Sequence, residues 1–350
     1  MRSLVVRLDS AGDVLLAGPA VRAVAAGSER VAVLVGPAGA AAAQLLPGVD
    51  EVLEWEAPWV GLEPPPVRVD EVLALAERVA AGRFDRALVL ASFHQSPLPT
   101  ALVLRLAGIR WIGADSEHYP GSLLDLRHHR APDRHEAEAA LDLAVAAGYR
   151  LPPGDQGELR VSPPPDTRAL TGDDPYVVVH PGAQAPARAP SPERAAAAVR
   201  SLVAAGHRVV VTGGPEETAL TAAVARGLAV DLGGRTDLRQ LSGVLAGARA
   251  VVVGNTGPAH LAAAVGTPVV SWFAPVVPAE RWRPFRVPHV LLGRPDAGCA
   301  GTRARVCPVP QHPCLDSVTG EEITTAVATL TTRPAASGAA DGASVPEVTA

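Results

Sequence analysis

Short apolar runs alternate with longer segments whose apolar positions recur at helical spacing, from the first residue onward. Strands are predicted at Ser3–Leu8, Val31–Val35, Val49–Glu54, Arg86–Ala91 and Arg110–Gly113. Between and after them the pattern predicts helices at Val14–Ala26, Ala38–Leu46, Asp70–Ala81, Pro99–Ala107 and His135–Ala147. Val72, Leu75, Ala76 and Val79 form the apolar stripe of the third of these. Such alternation specifies a doubly wound parallel α/β sheet.

A Pro/Gly-rich stretch from Leu151 to Pro175 interrupts the pattern and reads as an interdomain linker. The alternation then restarts. Strands are expected at Tyr176–His180, Arg208–Thr212, Ala229–Asp231, Arg249–Val253 and Pro268–Phe273, and helices at Pro192–Ala205, Glu216–Ala225 and Leu238–Ala246. Thr319 with Glu322 forms a capping box opening a last helix to about Leu330. The 350 residues therefore divide into two Rossmann-like halves, residues 1–165 and 166–332, and an Ala/Ser/Gly/Pro-rich tail, residues 333–350, expected to be disordered. Neither half contains Gly-x-Gly-x-x-Gly, which argues against a dinucleotide oxidoreductase.

Composition narrows the partners. The net charge is −5, which gives no case for nucleic acid. The chain has no Lys, so a phosphate must be held by Arg, His or backbone N–H groups. Its longest apolar stretch, Leu261–Ala279, is broken by Gly266, Pro268, Pro275 and Pro278, and the N-terminus opens on a strand rather than a signal peptide. Three Cys, an odd number, fit a reducing cytoplasm. Cys299, Cys307 and Cys314 surround His312 without a Cys-x-x-Cys spacing, so they read as free thiols in a structural loop and no metal site is expected.

The most informative segment is Val251–Pro268, VVVGNTGPAHLAAAVGTP. A buried strand enters the tight turn Gly254-Asn255-Thr256-Gly257, and a small-residue helix starts at Pro258 with His260 in its first turn. Ligands bind at such turns in open α/β sheets, where glycines admit the backbone to an anion and a helix N-terminus faces it. The segment resembles the signature of glycosyltransferase family 9, the heptosyltransferase-like family, Asp-(Ser/Thr)-Gly-Pro-x-His-Leu-Ala-x-Ala-x-Gly-x-Pro. Asn255 stands where that family usually carries Asp.

The resemblance extends to other turns. Arg7, Gly12-Asp13 and Pro19-Ala20 are similar to the family's N-terminal motif, in which the Asp after Gly is the general base. Pro181-Gly182-Ala183 followed by Arg188 resembles its Pro-Gly-Ala…Lys-x-Trp-Pro loop, with Arg188 in place of Lys and Pro190 in place of Trp. Glu217 falls where the family places a nucleotide-contacting Glu, and Gly233-Gly234-Arg235-Thr236 resembles the segment beside base and ribose.

What the resemblance implies is a GT-B architecture, two Rossmann-like domains facing a central cleft. It implies an acceptor-binding first half and a nucleotide-sugar-binding second half. It also implies a metal-independent, cofactor-free, inverting transferase with Asp13 as catalytic base. Arg188, Glu217, Thr236, Asn255, Thr256, Gly257 and His260 would hold the donor, an ADP-sugar carrying heptose or a related sugar. A saccharide or lipid-linked acceptor is expected near Gly12, His94, Arg130 and His135; the Arg127–Arg130 and Arg134–Glu136 segments also read as a solvated basic loop. The protein is expected to be a cytoplasmic monomer, with peripheral contact at the inner membrane face. Asn255 offers a donor and an acceptor where Asp only accepts, so donor preference is expected to depend on it. A sugar-nucleotide epimerase of the same fold and a non-catalytic sugar-nucleotide binder are the rival readings.

Overall fold

The structure, a computed structural model, describes residues 1–61 and 63–332. The expected disordered tail, residues 333–350, lies outside them. The chain separates into two compact units, Met1–Ser162 and Pro163 onward.

The first unit carries six parallel strands: β1 (Arg2–Arg7), β2 (Arg30–Val35), β3 (Glu51–Glu54), β4 (Arg86–Val89), β5 (Trp111–Asp115) and β6 (Leu126–His128). Their order is β3-β2-β1-β4-β5-β6. The second unit carries β7 (Tyr176–His180), β8 (Arg208–Gly213), β9 (Val230–Gly233), β10 (Ala250–Gly254), β11 (Val269–Trp272) and β12 (His289–Leu292). Its order, β12-β11-β10-β7-β8-β9, repeats the first sheet's order seen from the other edge. Both sheets are parallel throughout, so their central strands are covered on two faces and read as unbroken Val/Leu/Ala runs. Leu4, Val6, Leu34, Leu104 and Ile112 anchor the first core. Val177, Val179, Val211, Val252 and Trp272 anchor the second.

The structure differs from the expectations at several points. The helix read as Val14–Ala26 is two, Ala11–Leu16 and Gly18–Ala26, joined at Ala17. Pro19 has no N–H to donate back to Leu15, which breaks the ladder at that point. The basic cluster Arg127–Arg130 is not only loop, since Arg127 and His128 belong to edge strand β6. Strand β12 was not anticipated. The stretch 151–175 is not a free linker either, and the boundary falls at Ser162/Pro163 rather than after residue 165. Arg22, on the helix Gly18–Ala26, donates from Nε to Asp155 Oδ2 at 2.6 Å and from Nη2 to Asp155 Oδ1 at 3.0 Å and the Glu158 carbonyl at 2.7 Å. Ser162 N–H donates to the Leu45 carbonyl at 2.7 Å. Beyond the boundary, Pro165 and Thr167 pack where a Cβ on Gly243 would stand. The capping box at Thr319 and Glu322 is present and opens the helix Gly320–Thr332. Among the described residues no helix is long and apolar enough to cross a membrane.

Candidate active site

In each sheet the strand order reverses once, between β1 and β4 and between β7 and β10, and loops diverging there leave a crevice at the carboxyl ends. In the first unit those loops are Leu8–Ser10 and Leu90–Pro97; in the second they are Pro181–Ser191 and Asn255–Thr256. Of the residues singled out above for chemistry, Arg7, Gly12, Asp13, His94, Arg188, Asn255, Thr256, Gly257 and His260 lie on or next to these four loops.

Arg7, the last residue of β1, is 2% exposed. Its Nε meets Asp9 Oδ2 at 2.8 Å, and its Nη2 meets Ser92 Oγ at 2.8 Å, Asp13 Oδ1 at 3.2 Å and Glu136 Oε2 at 3.5 Å. Burial opposes the guanidinium charge, but Asp9, Asp13 and Glu136 together outweigh it and keep the group protonated. Among those three acids exposure rises from Glu136 (0%) through Asp9 (11%) to Asp13 (19%). Asp13 stands in the first turn of the helix Ala11–Leu16, where the helix dipole favours its charge. Ser10 occupies the N-cap position, yet its hydroxyl donates to Asp13 Oδ2 at 2.8 Å instead of capping the backbone.

The expected acceptor-side residues separate. Gly12 is buried and adjoins Asp13, and His94 is exposed with its ring edge-on to Phe93 at 5.3 Å. Arg130 is committed within the protein: Nη1 pairs with Glu136 Oε1 at 2.7 Å, and Nη2 reaches Asp115 Oδ2 at 3.2 Å and the Ala91 carbonyl at 2.8 Å. His128 Nδ1 contacts Asp115 in turn. His135 is the buried N-cap of the helix Glu136–Ala146, its Nδ1 accepting from Ala137 N–H at 3.2 Å.

In the second unit, Arg188 ends a short turn, Pro186–Arg188, whose backbone is gripped from one segment. Ala187 N–H donates to the Arg305 carbonyl at 2.9 Å, His312 Nε2 lies 3.2 Å from the Ala187 carbonyl, and Ser191 N–H donates to Asp316 Oδ1 at 2.9 Å. The Arg188 carbonyl sits where any Cβ on Gly254 would be, so glycine there is what brings this loop against the end of β10. Thr256 precedes the helix Gly257–Ala264, and no side chain caps that N-terminus. Thr256 and Gly257 are partly exposed; His260 is buried. Cys299 and Cys314 are buried in the second core, and burial, reinforced by the neighbouring thiols, pushes Cys314 up to about 12.

Asn255 is 4% exposed, and its amide is engaged twice with Ala274, just past β11. Nδ2 donates to the Ala274 carbonyl and Oδ1 accepts from Ala274 N–H, each at 3.1 Å. A contact of both amide atoms with sugar hydroxyls does not follow from this placement; the residue locks the β10 turn to β11. Asn255→Asp is expected to cost about 1–3 kcal/mol at neutral pH, because a carboxylate would face a carbonyl. Burial would raise that carboxyl's pKa, the folded state would then bind more protons than the unfolded one, and the penalty should shrink as the pH falls. Thermal unfolding at pH 7.5 and 5 checks this, and equal unfolding temperatures for both proteins at pH 7.5 would refute it.

Sequence reasoning missed one pair in this unit. His180 ends β7 as the single polar residue of an apolar strand, a signal comparable to Arg7 on β1. Its Nδ1 lies 2.9 Å from Thr212 Oγ1 and its Nε2 3.8 Å from Glu217 Oε2. Burial pulls the imidazole below its ordinary value against the attraction of Glu217. Glu217 also accepts from Gly214 N–H at 2.7 Å, and a Cβ on Gly182 would collide with its carboxylate. Thr236 is half-buried, just before the helix Leu238–Ala246, which Asp237 and Gln240 cap reciprocally.

The family model for glycosyltransferase family 9 (heptosyltransferase) matches residues 72–312, most of the chain, including the turns that carry Arg188, Glu217, Thr236 and Asn255–His260. The chain belongs to glycosyltransferase family 9. Solved structures agree in fold with this family 9 glycosyltransferase. The E. coli ADP-heptose LPS heptosyltransferase II is 20% identical with a TM-score of 0.73, covering 95% of this chain and 98% of that one. A glycosyltransferase family 9 protein from Veillonella parvula is 16% identical at 0.73, covering 94% and 97%. The E. coli heptosyltransferase WaaC, solved with ADP, is 21% identical at 0.65, covering 93% and 96%. No curated protein matches the chain.

Proposed function

We propose that this glycosyltransferase moves heptose or a related sugar from an ADP-type donor to a saccharide or lipid-linked acceptor, in one inverting step without a metal. The observation that carries the reading is the placement of Asp13. It is the most exposed of the acids around Arg7, at the carboxyl end of the first sheet, and takes its hydrogen bond from Ser10 on one oxygen. The acceptor hydroxyl attacks the anomeric carbon from the side opposite the phosphate and gives its proton to Asp13. The bond from that carbon to the phosphate oxygen breaks, and the nucleoside diphosphate leaves with the electron pair. A positioned carboxylate contributes roughly 10²–10⁴-fold to such a step.

The leaving diphosphate gains charge. The uncapped N-terminus at Gly257 and the side chain of Arg188, a residue whose backbone carbonyl lies against Gly254, are assigned the countering charge. Glu217 and Thr236 line the turns after β8 and β9 and are assigned to the nucleoside. Incubation with a panel of nucleotide sugars and lipid-linked or free saccharides in EDTA, followed by product analysis, tests the whole reading. Glycosylated acceptor of inverted configuration is expected. An isomerised donor, retention, or a requirement for added Mg²⁺ or Mn²⁺ would contradict it.

Arg188→Ala should weaken ADP binding by about 1.5–3 kcal/mol, the worth of a hydrogen bond to a charged group, while adenosine binding stays near wild type. Calorimetry with both ligands measures the difference; equal losses would remove Arg188 from the phosphate.

A further inference from the structure

The first unit gathers four carboxylates, Asp9, Asp13, Asp115 and Glu136, around two guanidiniums, Arg7 and Arg130, with His128 at the rim against Asp115. These groups come from β1, the loop after it, the helix Ala11–Leu16, β5, β6, the loop after β6 and the helix Glu136–Ala146. The loop after β4 adds two uncharged partners: Ser92 Oγ accepts from Arg7 Nη2 at 2.8 Å, and Gln95 Nε2 donates to Asp9 Oδ1 at 2.5 Å. Acids outnumber fixed cations, and the cluster is buried, so one carboxyl must hold a proton more readily than an ordinary one. Arg7 touches Asp9 and Asp13 through different nitrogens, which couples the charge of one to the basicity of the other.

We propose that Asp9 is a positioning residue for Asp13: while ionised it shares the Arg7 charge, and so keeps Asp13 a strong enough base for transfer. Protonating Asp9 removes an anion beside Asp13 and leaves the Arg7 charge to Asp13 and Glu136. Asp13 then stays ionised but attracts the acceptor proton less. Burial sets where this happens. It pushes the Asp9 carboxyl up to about 6, against the pull of Arg7 and the Gln95 hydrogen bond, with Asp13 and Glu136 adding to the rise. The inference rests on the assignment of Asp13 as base.

The pH dependence of kcat tests it. Wild type should lose turnover as the pH falls through about 6, well above the ordinary carboxylate range. Asp9→Asn should remove that limb and hold kcat roughly three- to tenfold lower at pH 7.5, with donor KM little changed. Two variants should move the limb in opposite directions, each by roughly one pH unit. Glu136→Gln takes away an anion that raises Asp9, so its limb shifts to lower pH. Gln95→Leu takes away a hydrogen bond that favours ionised Asp9, so its limb shifts to higher pH. Gln95 is partly exposed, which keeps this arm available if the buried Glu136→Gln variant fails to fold. An Asp9→Asn enzyme with the wild-type limb, or a limb unmoved in Gln95→Leu, would overturn the inference. Asp13→Asn separates the two ideas, since loss of turnover at every pH upholds the base whichever way the limbs move.

Discussion

Asp13→Asn should leave folding and donor binding intact and reduce kcat by about 10²–10⁴-fold. The amide keeps the size of the carboxylate and can still accept from Ser10, so the helix start should hold. What it cannot do is take a proton. The loss should therefore appear in kcat and kcat/KM together, with the affinity for ADP unchanged, because the lost interaction exists only in the transition state. Calorimetry with ADP and steady-state kinetics on the same preparation measure both halves. Near-wild-type turnover would remove Asp13 from the base role.

The second large effect is on stability. Arg22→Ala should destabilise the first unit by about 3–5 kcal/mol, the usual cost of leaving a buried ion-pair partner alone. Arg22 and Asp155 are 7% and 4% exposed, and the pair is bidentate. The Arg22 hydrogen bond holds the Asp155 carboxyl below its ordinary value. A depressed folded-state pKa contributes stability above the unfolded value, near 4, and loses it as the pH falls through the folded one. The gap between wild type and variant should therefore be full at pH 7 and narrow below about pH 4. Denaturant unfolding at the two pH values checks this, and adding Asp155→Ala to Arg22→Ala should restore part of the loss. A gap below about 1 kcal/mol at pH 7 would show that the pair behaves as a surface one.

The central strands were legible because a strand covered on both faces must be apolar along its whole length. Tyr176–His180 was placed to the residue, and β1, β2 and β10 to within one at each end. The edge strands β6 and β12 were not read. Leu126-Arg127-His128 is short and half in water, so it need not be apolar, and β12 pairs on one side only. The turns that carry the candidate site were legible through their glycines, Asp13 and His260. Their surroundings were not. Glu136 reaches Arg7 across 129 positions of sequence, and Asn255 finds Ala274 only after β11 has been placed. Local spacing carries no record of such pairings. Arg130 and His135 show the same limit from the other side. Their basic context suggests a receptor for an acidic acceptor, yet in the structure one closes an ion-pair network and the other caps a helix.

The repeated strand order has a consequence for how this chain can be altered. Each unit presents variable chemistry at the same two places, after its first and its fourth strand, and leaves the sheet beneath to packing. In the first unit those two positions carry acids and an amide; in the second they carry glycines, an arginine and an uncapped helix end. Grafting the Pro181–Ser191 and Asn255–Thr256 loops as a set, with Gly254, Ala274, Arg305, His312 and Asp316 retained as their mounts, is expected to change donor preference under the proposed assignment and to leave Asp13 and its surroundings as they are.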